Sequence, residues 1–316
     1  MTLLDSVPDG YREAVLFSML ALCWGTSFVA IEVGLEHVPP LLFAGLRYAV
    51  AGAIVFGYAA VATDRTRPRD RSEWLAVTVA GVFVIALYHG LLYLGELYVP
   101  GAVAATLVST APILTVAFAG VVLPDERLAP AGVAGFVLGL VGVIAVVQPS
   151  PDALGGDVTV GAVLVFASAI MFALGSVLTR PIDSDLPLET LQAWAMLVGG
   201  AVLLGWAFLR GESVAAIDLT GTALLSYGYL TIVSGVFAFL LYFELLEHSG
   251  ATQVNLVSYA EPVVAMGVSW IALGYVVDSL TLVGLVTILA GFVIIKRQAL
   301  RALLRSAFGT GSSATS

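Results

Sequence analysis

Two residues carry charge where charge is expensive. Arg47 lies inside the apolar run 41–62, and Glu261 lies inside the run 252–273. Ionisable groups within hydrocarbon-length runs are rare, and those that persist pair with one another or handle protons, ions and solutes. A guanidinium stays protonated at any ordinary pH and forks onto carboxylates. A carboxylate so placed must be protonated or paired, because desolvation disfavours the bare charge. The chemistry this suggests is solute binding or proton exchange. If the two groups meet, the pair can open to accept a zwitterion, or Glu261 can exchange a proton for solute. A fixed structural ion pair, or separate satisfaction by backbone groups, accounts for the same residues.

Further polar side chains sit in the same kind of run. Trp24, Tyr93 and Tyr242 offer rings with a polar tip, and packing or interfacial anchoring is the alternative for each. His89 is one helical turn before Tyr93, on the same face. It can bind a carboxylate or carry a proton, or simply bond a backbone carbonyl. Asn255, Ser258 and Tyr259 surround Glu261. Pro112 and Pro262 each remove a backbone donor and permit a bend, so they are candidates for gating. Ser109 and Ser258 are weaker candidates, since serine hydroxyls in helices often bond the preceding turn. Glu32, Glu96, Glu244 and Glu247 fall near run ends, where solvation is the expectation.

Catalysis and metal binding find little support. The chain has no H-E-x-x-H, no C-x-x-C and no Walker loop, so no metal or cofactor is expected. Ile232-Val233-Ser234-Gly235 faintly resembles the serine turn of intramembrane proteases, with His248 the nearest histidine. An intramembrane enzyme acting on a lipid or peptide is therefore the alternative to a carrier. The single Cys23 reads as a small buried hydrophobe.

The elements that hold these residues must be membrane helices. The chain is 59% hydrophobic and 11% charged, with a mean hydropathy of +1.01. Ten apolar runs can each cross a ~30 Å hydrocarbon core: 14–33, 41–62, 74–95, 102–123, 130–148, 160–179, 188–209, 224–246, 252–273 and 280–296. Barrel strands would alternate polar and apolar residues, and these runs do not. By depth, Glu261 is ~14 Å from one surface and Arg47 ~9 Å from the other. With the N-terminus inside, eleven basic residues fall in the cytoplasm, and Arg210 alone falls outside. That bias predicts both termini cytoplasmic. Residues 1–13 carry Asp5, Asp9 and Glu13 rather than a basic cluster, so no cleavable signal peptide is expected.

The chain also repeats itself at an offset of 149 residues. Residues 91–111, LLYLGELYVPGAVAATLVSTA, match 240–260, LLYFELLEHSGATQVNLVSYA, at ten positions that include Tyr93/Tyr242 and Gly101/Gly250. Five spans per copy is an odd number, so the second copy enters the membrane inverted. Inverted repeats underlie many secondary transporters, because mirrored halves supply two states of similar energy. The expected domains are 14–148 and 160–297, followed by a cytoplasmic tail, 298–316. Tyr93 and Tyr242 should then face one another's counterparts across the pseudo-axis. Gly132, Gly135, Gly139 and Gly142 form a small-residue stripe on the fifth span, and Gly284 and Gly291 do so on the tenth. Such stripes suit close helix contact, within the chain or in a homodimer.

In order along the chain, Cys23-Trp24-Gly25-Thr26-Ser27-Phe28, Leu46-Arg47-Tyr48, Ala111-Pro112-Ile113, Leu123-Pro124-Asp125-Glu126-Arg127-Leu128 and Ala260-Glu261-Pro262-Val263 resemble the EamA-type, ten-helix members of the drug/metabolite transporter superfamily. The resemblance covers about residues 14–297. It implies an integral membrane carrier of small metabolites, often an exporter of amino acids or similar solutes. It also implies a cavity lined by spans 1, 3, 4, 6, 8 and 9, with spans 5 and 10 peripheral. One departure is that the second copy has Gly274-Tyr275 where family repeats commonly close the fourth helix with Gly-Glu.

The net charge of −9 makes nucleic acid an implausible partner; a small solute and membrane lipid remain. Acidic loops and twelve arginines to one lysine suggest a salt-loving microbial host, where screening blunts self-repulsion.

Overall fold

The computed structural model describes residues 9–123, 130–148 and 156–309, with the side chains of 9, 10, 250–253, 255, 296 and 298–309 excepted. Among the described residues, nine helices are long and apolar enough to cross a membrane. They are span 1 (Tyr11–Leu35), span 2 (Pro40–Ala62), span 3 (Arg71–Gly95), span 4 (Gly101–Val122), span 5 (Pro130–Val147), span 6 (Asp157–Leu178), span 7 (Leu188–Leu209), span 8 (Gly221–Ser249) and span 9 (Leu256–Leu273). The tenth, span 10, is the apolar stretch Ser279–Ile295 within the helix Ser279–Gly309. The protein is an all-α membrane protein of two five-helix repeats.

Local chemistry explains where the helices begin. Asp70 accepts from the Glu73 amide at 2.9 Å, and Glu73 reaches back to the Arg69 amide at 2.7 Å and to the Arg65 guanidinium. The pair resembles a capping box at the head of span 3, with the glutamate's bond moved one residue before the N-cap Asp70. Thr220 caps span 8 through the Ala223 amide, 3.1 Å. Asp278 caps span 10, accepting from the amides of Leu280 at 2.8 Å and Thr281 at 3.0 Å. The second repeat's Gly274, at φ +69°, closes span 9 in the left-handed conformation that glycine adopts without strain.

The packing obeys the inverted repeat. Span 2 lies on span 7, and span 5 on span 10. The contact of span 3 with span 6 is mirrored by that of span 1 with span 8, and span 7 on span 3 by span 2 on span 8. The glycine stripe shows the two-fold in atomic detail. A Cβ on Gly142 would meet the Gly284 carbonyl oxygen at 2.8 Å, and one on Gly284 would meet the Gly142 oxygen at 2.8 Å. Gly135 and Gly291 oppose each other in the same reciprocal way. Positions 135 and 142 correspond to 284 and 291 at the repeat offset, so residue i of one copy meets residue j of the other, and j meets i. The stripe is thus filled within the chain.

One feature has no sequence signal. Spans 3 and 8 each widen into a π-helical stretch, Ala80–Leu87 and Tyr229–Phe237. These begin at positions related by the repeat offset. Extended π-helix is rare and concentrates at functional sites. Span 4 is interrupted at Ser109-Thr110, just before Pro112, where Gly101–Val108 gives way to Ala111–Val122. Pro262 instead lies within the helical stretch Ala238–Leu273.

Candidate functional site

Backbone carbonyls of the π-helical stretches accept bonds from site side chains. Leu230 O accepts from Arg47 Nη1 at 3.2 Å. Ser234 O accepts from the Trp24 indole at 3.3 Å. On the other repeat, Ile85 O bonds His89 Nδ1 at 3.1 Å.

Arg47 is the centre of the arrangement and is only 3% exposed. Its Nη2 donates to the Tyr48 hydroxyl at 2.8 Å. Its guanidinium carbon lies 4.2 Å from the Tyr48 ring centre and 5.5 Å from that of Tyr93. The Tyr48 oxygen is 2.5 Å from His89 Nε2. Since His89 Nδ1 faces a carbonyl, it carries a hydrogen and donates it. A chain of contacts thus runs from Arg47 through Tyr48 and His89 to Ile85. Arg47 makes no ion pair among the described residues, and its Nε has no hydrogen-bond partner.

Glu261 is 7% exposed and also unpaired among the described residues. The expected alternative of a fixed Arg47–Glu261 ion pair does not hold in this conformation. Span 9 carries Glu261 past Gly25 of span 1, where a Cβ would meet the Glu261 carbonyl at 2.8 Å. Tyr88 stands within electrostatic reach of both Glu261 and Arg47. It packs edge-on against His89 and Phe172, at 4.3 and 5.2 Å between ring centres.

The remaining candidates divide. Tyr93 is fully buried beside Arg47 and sits edge-on to Phe43, with its hydroxyl unpartnered. Trp24 packs with Phe239 and Tyr242 at 5.6 and 5.8 Å, forming an aromatic wall between spans 1 and 8. Tyr93 and Tyr242 thus stand in different surroundings, one beside Arg47 and one beside Trp24. Tyr259 lies against Phe292 of span 10 at 4.3 Å. Two residues along a helix point about 200° apart, so Tyr259 faces away from Glu261. The side chain of Asn255 and the Pro124–Leu128 segment lie outside the described residues. Tyr48 entered the sequence reading only as part of the Leu46-Arg47-Tyr48 motif, and Tyr88 not at all.

The expectation of solvated span-end carboxylates holds for Glu244, which pairs with Arg12, and fails for Glu96. Glu96 is 5% exposed, and neither of its oxygens has a hydrogen-bond partner. Depth along a span does not report lateral burial, and here the neighbouring helices cover the turn. The protease-like turn is not catalytic: Ser234 bonds Ser27 at 3.0 Å, while His248 bonds the Glu244 carbonyl at 2.9 Å.

Residues 12–148 and 159–297 each match the model of the EamA-like transporter family. The chain belongs to that family. Among EamA-like relatives, an inner membrane transporter of Escherichia coli K12 named YedA is 29% identical over 282 residues, covering 84% of this chain and 88% of its own. A transporter of Archaeoglobus fulgidus is 26% identical, covering 91% and 99%. A protein of Salmonella typhimurium described as a probable amino-acid metabolite efflux pump is 27% identical, covering 90% and 94%. One crystal structure shares the fold, with a TM-score of 0.64 at 22% identity over 92% of this chain and 98% of its own. The EamA-like protein is a membrane transporter and not an enzyme.

Proposed function

We propose that the protein exports a small zwitterionic metabolite, an amino acid or similar solute, by alternating access. The observation that supports this best is a buried, uncompensated Arg47 within a tyrosine cage, with Glu261 unpaired on the facing repeat. Each charge is costly as it stands and would gain from an opposite charge on a solute. An α-carboxylate matches the guanidinium fork, an ammonium matches Glu261, and the rings of Trp24, Tyr93 and Tyr242 suit an apolar side chain. The absence of a Walker motif fits a gradient-driven or downhill carrier. The name given to the Salmonella relative points the same way.

On this reading the first repeat spans 14–148 and the second 160–297. Residues 298–316 form a tail, both termini are cytoplasmic, and the host membrane is the plasma membrane. Metabolites released by cells with and without the gene test the substrate class. Selective loss of amino acids from the medium of the deleted strain supports the proposal, and selective loss of sugar phosphates or amines replaces it.

A further inference from the structure

The buried carboxyl that the solute site does not use is Glu96. It sits in the turn between spans 3 and 4, fully enclosed, with both oxygens unpartnered. From span 1, Glu32 faces it closely enough to act on its charge, and Glu36 acts in turn on Glu32. Glu32 is itself held by the Gly101 amide at the head of span 4, 2.8 Å. From span 2, Arg47 acts on Glu96, and along its own helix Glu96 lies within electrostatic reach of Tyr93 and Tyr88. Span 6 sets Gly161 and Val165 against the neighbouring Gly95. Tyr275, beyond span 9, reaches Glu32.

Three unpartnered polar groups therefore share one neighbourhood: the Glu96 carboxyl, the Tyr93 hydroxyl and Arg47 Nε. Two can donate and one accepts, yet neither donor bonds Glu96. Bare, two neighbouring carboxylates in a water-poor turn repel, and the buried one lacks any hydrogen bond to hold its charge. Protonated, Glu96 needs no counter-charge, and the arrangement seen is stable. Ionised, it would draw on the idle donors of Tyr93 and Arg47.

We infer that Glu96, with Glu32 beside it, holds one exchangeable proton at the span 3–span 4 turn, a proton site of the carrier separate from Glu261. Burial first, and then the charge of Glu32, push the Glu96 carboxyl well above the usual carboxylate range, while Arg47 acts in the opposite sense. This rests on the protein's being a transporter but not on the identity of its solute. Proton occupancy here would set how far Arg47 is drawn toward Glu96.

The test needs no solute. Dicyclohexylcarbodiimide, an apolar reagent, adds to protonated carboxyls in water-poor sites, and the adduct is located by peptide mass spectrometry. Wild-type protein in lipid vesicles should be labelled at Glu96 far more than at exposed Asp183, with labelling lost as pH rises. In Glu32→Gln the like charge is gone, so the ionised form of Glu96 is easier to reach. Its labelling midpoint should fall by about one pH unit, a loss of about tenfold at fixed pH above the midpoint. Wild-type labelling that does not vary with pH would identify a permanently neutral structural carboxyl and overturn the proposal. Equal labelling by a water-soluble carbodiimide would show a solvated group and overturn it too. Protection by sodium ions but not by choline would make this a metal-cation site instead. An unmoved midpoint in Glu32→Gln would dissolve the pair. A protein that moves no amino acid but titrates at Glu96 would refute the solute proposal alone.

Discussion

Replacing Arg47 separates a structural role from a transport role with opposite signs. In Arg47→Met the chain loses two hydrogen bonds, to Tyr48 at 2.8 Å and to the Leu230 carbonyl at 3.2 Å. It also leaves those partners less satisfied, at about 1–3 kcal/mol for a buried group. Against this, the variant no longer buries a cation that has no anion. The effective penalty for such burial is several kcal/mol, and apolar replacements of buried charges are often neutral or stabilising. Thermal unfolding in detergent should therefore be unchanged or shifted slightly upward. Transport should behave otherwise. A bidentate bond to a solute carboxylate comprises two charge-assisted bonds of about 1.5–3 kcal/mol each, so its loss weakens binding by roughly 10²- to 10⁴-fold. Arg47→Lys keeps the charge without the fork and should fall between. Counterflow in vesicles, with the solute found by metabolite release, measures this. A folded Arg47→Met protein with wild-type affinity would refute the reasoning, and so would a protein that loses stability and transport together.

Glu261→Gln should insert and fold normally, since no ion pair with Arg47 is broken, while its transport loses the wild-type pH dependence; an unchanged rate and pH profile would remove Glu261 from the mechanism. Pro112→Ala and Pro262→Ala should slow transport more than they lower the unfolding temperature, and unaltered rates in both would make these prolines static packing features. Gly142→Val should cost about 1–3 kcal/mol in thermal unfolding. Its Cβ would meet the Gly284 oxygen at 2.8 Å, well inside ordinary contact of about 3.5 Å. In a Cys23→Ala background, Arg67→Cys and Asp152→Cys should label from opposite faces of the membrane; labelling of both from outside intact cells would refute the proposed topology.

Much of the fold was legible because lipid imposes simple demands. Apolar runs of spanning length mark helices, and punctuation such as His37-Val38-Pro39-Pro40 marks their ends. The 149-residue offset carried the inverted architecture, and Gly135, Gly142, Gly284 and Gly291 carried a contact that the structure makes. Arg47 stood out because a charge within a span needs a reason. What surrounds it did not stand out. Nothing in Ala80–Leu87 or Tyr229–Phe237 announces a π-helix, since that geometry arises from packing rather than propensity. Nor does sequence reveal which way a span is turned. Tyr88 and Tyr48 were therefore not placed at the site, while Tyr259 looked like a site residue and Glu96 like a solvated one.

The two repeats share a backbone plan and differ in what they hang on it. At the repeat offset, Arg47 corresponds to Met196, Tyr48 to Leu197, His89 to Ala238 and Glu96 to Leu245. Glu261 corresponds to Pro112. The π-helical stretches and the glycine crossings are kept in both halves, whereas the charges are not. This division follows from what each feature must do. Two states of comparable energy require symmetric packing, so that either half can adopt either form. A chemically polar solute such as a zwitterion has two unlike ends, and a symmetric pair of side chains could satisfy only one of them. A symmetric frame with one cation from the first copy and one carboxylate from the second meets both demands.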